Sequence, residues 1–537
     1  MGEVTGGRTF NMADLFELAV DEWPDRPYLS DERCHRTFAE MDGRANQLAH
    51  HLAAEGVRPG DHVGIYAHNC VEWVETLWAV FKIRAVWINI NFRYVEDELA
   101  YLFDNADLRH IVVQPEFADR AAAVAPSLPR LVIGDEYEQA VAAQSPDRDF
   151  APRSNDDRYI LFTGGTTGMP KGVVWRHEDV VMALGGGIDI RTSERVQRPE
   201  DFVEKGRNGF ALISYPIPPL MHGASQWAVM GQSFIGNTAV LRAKFDAHEV
   251  WRTIERERAN LLMITGDAMA RPMLDAFDDL VAAGTRPDTS SLFAVSSSAV
   301  LFSQSCKDRF LELLPNLVIT DAVGSSEGGA NGITMVTKGD TMKGGPTVTA
   351  ARDSVVLDDD LRPVAPGSGI VGRLARTGNI PIGYYKDPEK TAATFVEGPD
   401  GTRYVIPGDY ALLEADGAIT MLGRGSVSIN SGGEKVFPEE VENALKSHPD
   451  VFDAVVVGVA DERWGERVTA VVQPRHGTSP TLESIQQHCR QHLAGYKVPR
   501  QLTLVELMVR SPAGKSDYRW ARRIAADDVA AVAGGEA

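Results

Sequence analysis

Two short apolar runs, His62-Val63-Gly64-Ile65-Tyr66 and Val86-Trp87-Ile88-Asn89-Ile90, flank a stretch from Glu72 to Phe81 whose apolar residues recur at helical spacing. The runs read as strands and the stretch between them as a helix. Working outward, Phe38, Met41, Ala45, Leu48 and Leu52 follow one another at three and four residues and stop before Gly56, a second helix. Beyond Ile90, Glu96 to Phe103 is helical in pattern and Ile111-Val112-Val113 extended. Repeated β-α units of this kind predict an α/β fold with a mostly parallel sheet and helices on its faces. No solenoid-type period is present.

The chain has 537 residues, 44% hydrophobic and 24% charged, which suits a large core divided into two to four structural units and excludes a disordered, collagenous or disulfide-framed protein. Its 54 Lys and Arg against 75 Asp and Glu leave a net charge of −21. A field of that sign repels nucleic acid and anionic lipid, so neither is an expected partner, and an anionic small substrate needs a locally basic site. Cys34, Cys70, Cys306 and Cys489 form no CxxC pair, which points to reduced thiols in the cytoplasm. The first 21 residues carry no export signal, and Lys82 and Arg84 interrupt the most apolar stretch, Leu77 to Ile90, so no membrane span is expected.

Around Gly423-Arg424-Gly425-Ser426 the texture changes to a connector, followed by a separate alternation of helix and strand. This predicts a domain over 1–424, a second over 425–525, and a disordered tail over 526–537.

Tyr159-Ile160-Leu161-Phe162-Thr163-Gly164-Gly165-Thr166-Thr167-Gly168-Met169-Pro170-Lys171-Gly172 is an apolar strand running into a loop of glycines and threonines with a lysine at its end. Glycines let backbone N–H groups converge, hydroxyls add donors and Lys171 adds charge, which together make a phosphate cradle. It is not the GxxxxGK[ST] loop, because Met169 and Pro170 separate the last loop glycine from Lys171.

The string Thr-Gly-Gly-Thr-Thr-Gly-Met-Pro-Lys-Gly-Val resembles the phosphate loop of the adenylate-forming enzymes, and further segments resemble that family's motifs in the same order along nearly the whole chain. The resemblance implies a large, multi-subdomain N-terminal domain with parallel-rich sheets and a small, mobile α+β C-terminal domain. It implies nucleotide contacts from Thr163, Gly164, Gly165, Thr167, Gly168 and Lys171, with Thr166 among the catalytic groups. In Asp321-Ala322-Val323-Gly324-Ser325-Ser326-Glu327-Gly328, Glu327 would bind Mg²⁺ and Ser326 the α-phosphate, with Asp321 lining the same site. Hard oxygen ligands suit magnesium, and one carboxylate with phosphates suffices. Val323 stands where the family has an aromatic ring against adenine.

Ser298 and Ala299 match the turn lining the adenine, and Gly383 to Pro388 a further family segment. Asp409 would hold both ribose hydroxyls, a carboxylate being spaced for a vicinal diol. Arg424 would reach the ribose or α-phosphate, Ser426 occupies the hinge position, and Gly432 and Gly433 belong to the loop that lines the pantetheine tunnel. Lys515, after Pro512-Ala513-Gly514, matches the catalytic lysine, whose ammonium stabilises charge developing on the phosphoryl oxygens. His222, in Tyr215-Pro216-Ile217-Pro218-Pro219-Leu220-Met221-His222-Gly223, matches the residue gating the carboxylate pocket, with Trp227, Phe234 and Thr265 to Ala270 as candidate pocket lining.

Longer strings, such as Gly-Arg-Gly-Ser-Val-Ser-Ile-Asn-Ser-Gly-Gly-Glu-Lys-Val, are similar to bacterial ligases for the side-chain carboxylate of 3-oxocholest-4-en-26-oate and to fatty acyl-CoA ligases. The implied function is ATP-dependent acyl-CoA ligation of a bulky hydrophobic carboxylic acid through an acyl-adenylate, releasing AMP and pyrophosphate, with ATP, Mg²⁺ and coenzyme A required. A ligase loading a carrier protein and a non-catalytic nucleotide-binding module remain alternatives. A homodimer is left open.

Overall fold

The structure is a computed structural model that describes residues 8–163, 169–189, 192–298, 302–340, 347–431, 434–461, 464–510 and 515–534, with side chains described except at 424, 426, 435 and 529–534. The β-α alternation becomes a seven-stranded sheet in the order Gly383–Tyr384, Lys171–Arg176, Arg158–Thr163, Val86–Asn89, His62–Tyr66, Leu108–Val113, Arg130–Val132. Its five strands from Arg158–Thr163 to Arg130–Val132 pair in parallel, as crossover helices require. The helix Phe38–Ala54 starts at a capping box in which Thr37 and Glu40 satisfy each other's backbone amides.

A fifteen-stranded sheet forms the second layer. Its parallel part, which includes Ile213–Pro216, Leu261–Ile264, Ala294–Ser298 and Val318–Ser325, passes into antiparallel strands that run through Ile419–Arg424 to the edge strand Phe395–Glu397. A third, five-stranded sheet lies wholly within Ile429 to Leu504 and has its own core, built on Ile429, Val441, Leu445, Val456, Val468 and Ile485.

Buried charges sit between the helices that cover the first sheet. Lys82 has no exposed side-chain surface and bonds Glu17 at 2.6 Å and Asp42 at 2.8 Å. Burial alone would raise the Glu17 carboxyl, but Lys82 and Arg153 hold it at about 2. Removing one member of such a cluster leaves an uncompensated charge and costs ~3–5 kcal/mol.

His110 and His177 are buried, His222 is partly buried, and all three are held neutral. Burial lowers His110, beside His51, and His177 to about 4, and His222 likewise. The unfolded chain therefore takes up protons below pH 6.5 that the folded chain refuses, so stability falls as pH drops from 6.5 towards 4, by up to about 1.4 kcal/mol per pH unit for each group. His110→Leu, at a ring whose Nδ1 has no partner among the described residues, is expected to flatten the slope of melting temperature against pH in that window; an unchanged slope would clear His110 of the effect.

A disordered tail is expected from residue 526. The helix Tyr518–Gly534 runs through it, because alanines favour helix and Ala521 and Ala525 pack against Val455, Val457 and Val471. Thr503 also donates to Asp528 at 2.8 Å. All four cysteines are free thiols, and no helix among the described residues is long and apolar enough to cross a membrane.

Candidate active site

The strand Arg158–Thr163 returns antiparallel as Lys171–Arg176, and Thr163 lies opposite Lys171, so these two residues close the base of the glycine-threonine loop. Gly164, Gly165, Thr166, Thr167 and Gly168 lie outside the described residues. Lys171 is steered from a distant segment. Gly383–Tyr384 pairs with Lys171–Arg176, which brings the Asp387 carboxylate onto the Lys171 ammonium and the Tyr384 ring to 6.0 Å from it. The Lys171 hydrogen bond is the main reason the Asp387 carboxyl titrates below its ordinary range.

The Tyr384 hydroxyl donates to Glu327 Oε1 at 2.9 Å. Glu327 rides the tip of a hairpin, Val318–Ser325 to Gly329–Val336, whose turn is fixed by the Gly328 N–H donating to Ser325 Oγ and the Trp175 indole donating to the Ser326 carbonyl at 3.0 Å. Tyr384 therefore stands between the two groups that sequence assigns to phosphate and magnesium. Neither it nor Asp387 was given a role from sequence, although both fall in the recognised segment Gly383 to Pro388.

Ser298 ends the strand Ala294–Ser298, and its Oγ is buried with no hydrogen-bond partner among the described residues; Ala299 lies outside them. Asp321 on the neighbouring strand is engaged by Lys307 at 2.7 Å, and burial raises its carboxyl despite that lysine. Val323 packs against the aliphatic cluster of Val348, Val356 and Leu374, a packing role at the position where the family has an aromatic ring.

His222 precedes the helix Gly223–Ser233. Gly223 permits close approach: a Cβ there would lie 2.6 Å from Leu161 of the phosphate-loop strand. The His222 Nε2 is sealed from solvent without a partner among the described residues, and burial, then the charges of Lys515 and Arg93, hold the imidazole neutral with a pKa of about 4. Lys515 itself is exposed. A residue near the end of the chain thus acts electrostatically on a histidine that lies far earlier in it. Of the pocket candidates, Phe234 is corrected to a core residue packed on Trp78 and Phe202, because its helix turns that face inward. Trp227 packs edge-on to Tyr159, and the Asp267 carboxylate is taken by Arg271 and Ser303.

Asp409 opens the strand Asp409–Leu413 directly across from Arg424, which ends Ile419–Arg424. The connector is part of that strand and continues as a 3₁₀ turn over Gly425–Val427. At Gly423 φ is 116°, and a Cβ would collide with a Glu439 carboxylate oxygen at the start of the helix Pro438–Lys446. The side chains of Arg424 and Ser426 are not described, and Gly432 and Gly433 lie outside the described residues.

These groups fit MgATP. Glu327 offers a hard oxygen donor of which Tyr384 engages one atom, Lys171 stands at the mouth of the loop, and Ser298 carries a buried hydroxyl with nothing to bond among the described residues. The profile of the AMP-binding enzyme family matches residues 16–385, and that of the AMP-binding enzyme C-terminal domain matches residues 440–515. The chain belongs to the AMP-binding enzyme family. It is 54% identical over 529 residues to a 3-oxocholest-4-en-26-oate–CoA ligase of Rhodococcus rhodochrous, covering 95% of each chain. It is 51% identical to a medium/long-chain-fatty-acid–CoA/3-oxocholest-4-en-26-oate–CoA ligase of Mycolicibacterium smegmatis, covering 96% of each. The crystal structure of the anthranilate CoA ligase AuaEII with anthranoyl-AMP has the same fold, with a TM-score of 0.84 at 22% identity over 99% of this chain and 100% of that one.

Proposed function

We propose that the protein is an ATP-dependent acyl-CoA ligase that activates a bulky hydrophobic carboxylic acid, a sterol side-chain acid or a medium- to long-chain fatty acid, as its acyl-adenylate and transfers the acyl group to coenzyme A. The observation that supports this reading is the Tyr384 hydroxyl bound to Glu327 on the same segment whose Asp387 engages Lys171 at the base of the glycine-threonine loop. The acid class is supported by relatives that share more than half of its residues.

In the first half-reaction the acid carboxylate attacks the α-phosphorus of ATP and pyrophosphate leaves. Lys515 then stabilises charge gathering on the α-phosphoryl oxygens, which is greater in the transition state than before it. Lys171 meets the leaving phosphates, with Asp387 restraining its ammonium. Glu327 would hold Mg²⁺, which neutralises phosphate charge when bound. A neutral His222 walls the carboxylate pocket without adding a proton to the nucleophile. In the second half-reaction the thiolate of coenzyme A attacks the acyl carbon and AMP leaves. We divide the chain for this purpose into a 1–424 lobe and a 425–525 lobe turning about Ser426, so that Lys515 withdraws and the Gly432-Gly433 loop replaces it. Four unpaired thiols suit the cytoplasm.

The test is pyrophosphate release across a panel of fatty, aromatic and sterol acids, followed by thioester formation with free coenzyme A or a phosphopantetheine-bearing carrier. Release with long-chain or sterol acids and transfer to free coenzyme A are expected. Transfer only to the carrier, or no acid-dependent release at all, would overturn the reading. In the same assay Asp409→Ala is expected to raise the KM for ATP by about 10- to 100-fold with a smaller change in kcat, the loss of a charge-assisted pair of hydrogen bonds at ~1.5–3 kcal/mol. An unchanged ATP dependence would remove Asp409 from the ribose.

A further inference from the structure

The turn carrying His222 is poor in backbone donors, since Pro216, Pro218 and Pro219 have no N–H. It cannot be held as a strand is held, and buried side-chain amides take over. Asn69 Oδ1 accepts from the Leu220 N–H at 2.7 Å, and Gln226 Nε2 donates to the Leu220 carbonyl at 2.8 Å. Asn89, at the end of the strand Val86–Asn89, does more. Its Oδ1 accepts from the Phe162 N–H and its Nδ2 donates to the Phe162 carbonyl, each at 2.8 Å, and the same Nδ2 donates to the Met221 carbonyl at 2.8 Å. The side chain is 3% exposed, and its three bonds match the amide's one acceptor and both donor hydrogens. Phe162 immediately precedes Thr163 of the phosphate loop, and Met221 immediately precedes His222.

We propose that Asn89 is a positioning residue that fixes the root of the nucleotide loop and the acid-gating histidine in one frame, so that the two reactants of adenylate formation meet in register. This rests on the proposed function, in which the loop holds ATP and His222 borders the acid. No other amide among the described residues bonds both Phe162 and Met221. A displacement of about 1 Å between reacting groups is enough to cost ~100-fold in rate.

The experiment compares wild type, Asn89→Leu, His222→Ala and the double variant, reading kcat and KM for ATP and acid in pyrophosphate release, thioester formation from supplied acyl-adenylate, and thermal melting. Asn89→Leu keeps the number and branching of the side-chain heavy atoms and removes all three bonds. It is expected to lower kcat for adenylate formation ~30- to 100-fold, with a smaller effect on use of supplied acyl-adenylate. In the His222→Ala background the additional loss is expected to be at least several-fold smaller. Equal losses in the two backgrounds, or equal losses in the two half-reactions, are the signature of general destabilisation and overturn the proposal, as does unchanged kcat. If Asn89→Leu does not fold, Asn89→Thr is read through the same cycle. Failure of wild type to release pyrophosphate would instead strike the functional reading, which keeps the two failures apart.

Discussion

Lys515→Ala is expected to lower the rate of acyl-adenylate formation by about 1,000-fold, ~4 kcal/mol of transition-state stabilisation, while leaving thioester formation from supplied acyl-adenylate within a few-fold of wild type. The asymmetry follows from where the ammonium acts. Its charge is one of two that lower the His222 pKa, and it matters most when oxygen atoms on phosphorus become more negative. Single-turnover measurements of each half-reaction decide the matter; equal loss in both halves would mean the residue supports the fold or the lobe packing and not the adenylation step. A companion change appears at His222, which loses one of the two cations holding its pKa down, so its titration observed by NMR should move upward in Lys515→Ala.

Glu327→Gln is expected to cost about 100-fold in adenylate formation and to raise the magnesium concentration needed for half-maximal rate. Glutamine still accepts from the Tyr384 hydroxyl, so the hairpin tip keeps its anchor and the substitution removes charge alone. Magnesium titrations at saturating ATP give the shift directly. An unaltered magnesium dependence with full rate would transfer the ion to another residue and leave Glu327 as the partner of Tyr384 only.

The architecture was legible where apolar spacing carries the information. The alternation from Phe38 to Val113 is written in residues three, four or two apart, and each predicted element is present within a residue or two except the last strand, which starts three residues earlier at Leu108. The proposed site residues rest on motif order alone, because no spacing rule joins Thr163, Glu327, Asp409 and Lys515. Contacts between segments were not legible at all. Tyr384 and Glu327 are 57 residues apart, and Lys171 and Asp387 are 216 apart, so nothing local marks either pair. Asn89 looks in sequence like the polar end of a strand, and its bond to Met221 reaches a turn 132 residues later. Phe234 misleads because a large aromatic near a candidate pocket has the same composition whichever way its helix is rotated. The helix past residue 525 escapes a reading by pattern because its apolar side chains are mostly alanines, whose weak patterning hides a strong helical preference.

The missing β-carbon at Gly223 joins two properties usually treated as separate. The space it vacates is filled by Leu161, on the strand that ends in the phosphate loop, so enlarging position 223 to reshape the acid pocket forces that leucine to swing or be trimmed. Under the proposed function, selectivity for the acid and grip on the nucleotide then share one small volume. Engineering one without compensating at position 161 will drag the other with it, and natural variation at the two positions should move as a matched exchange of size.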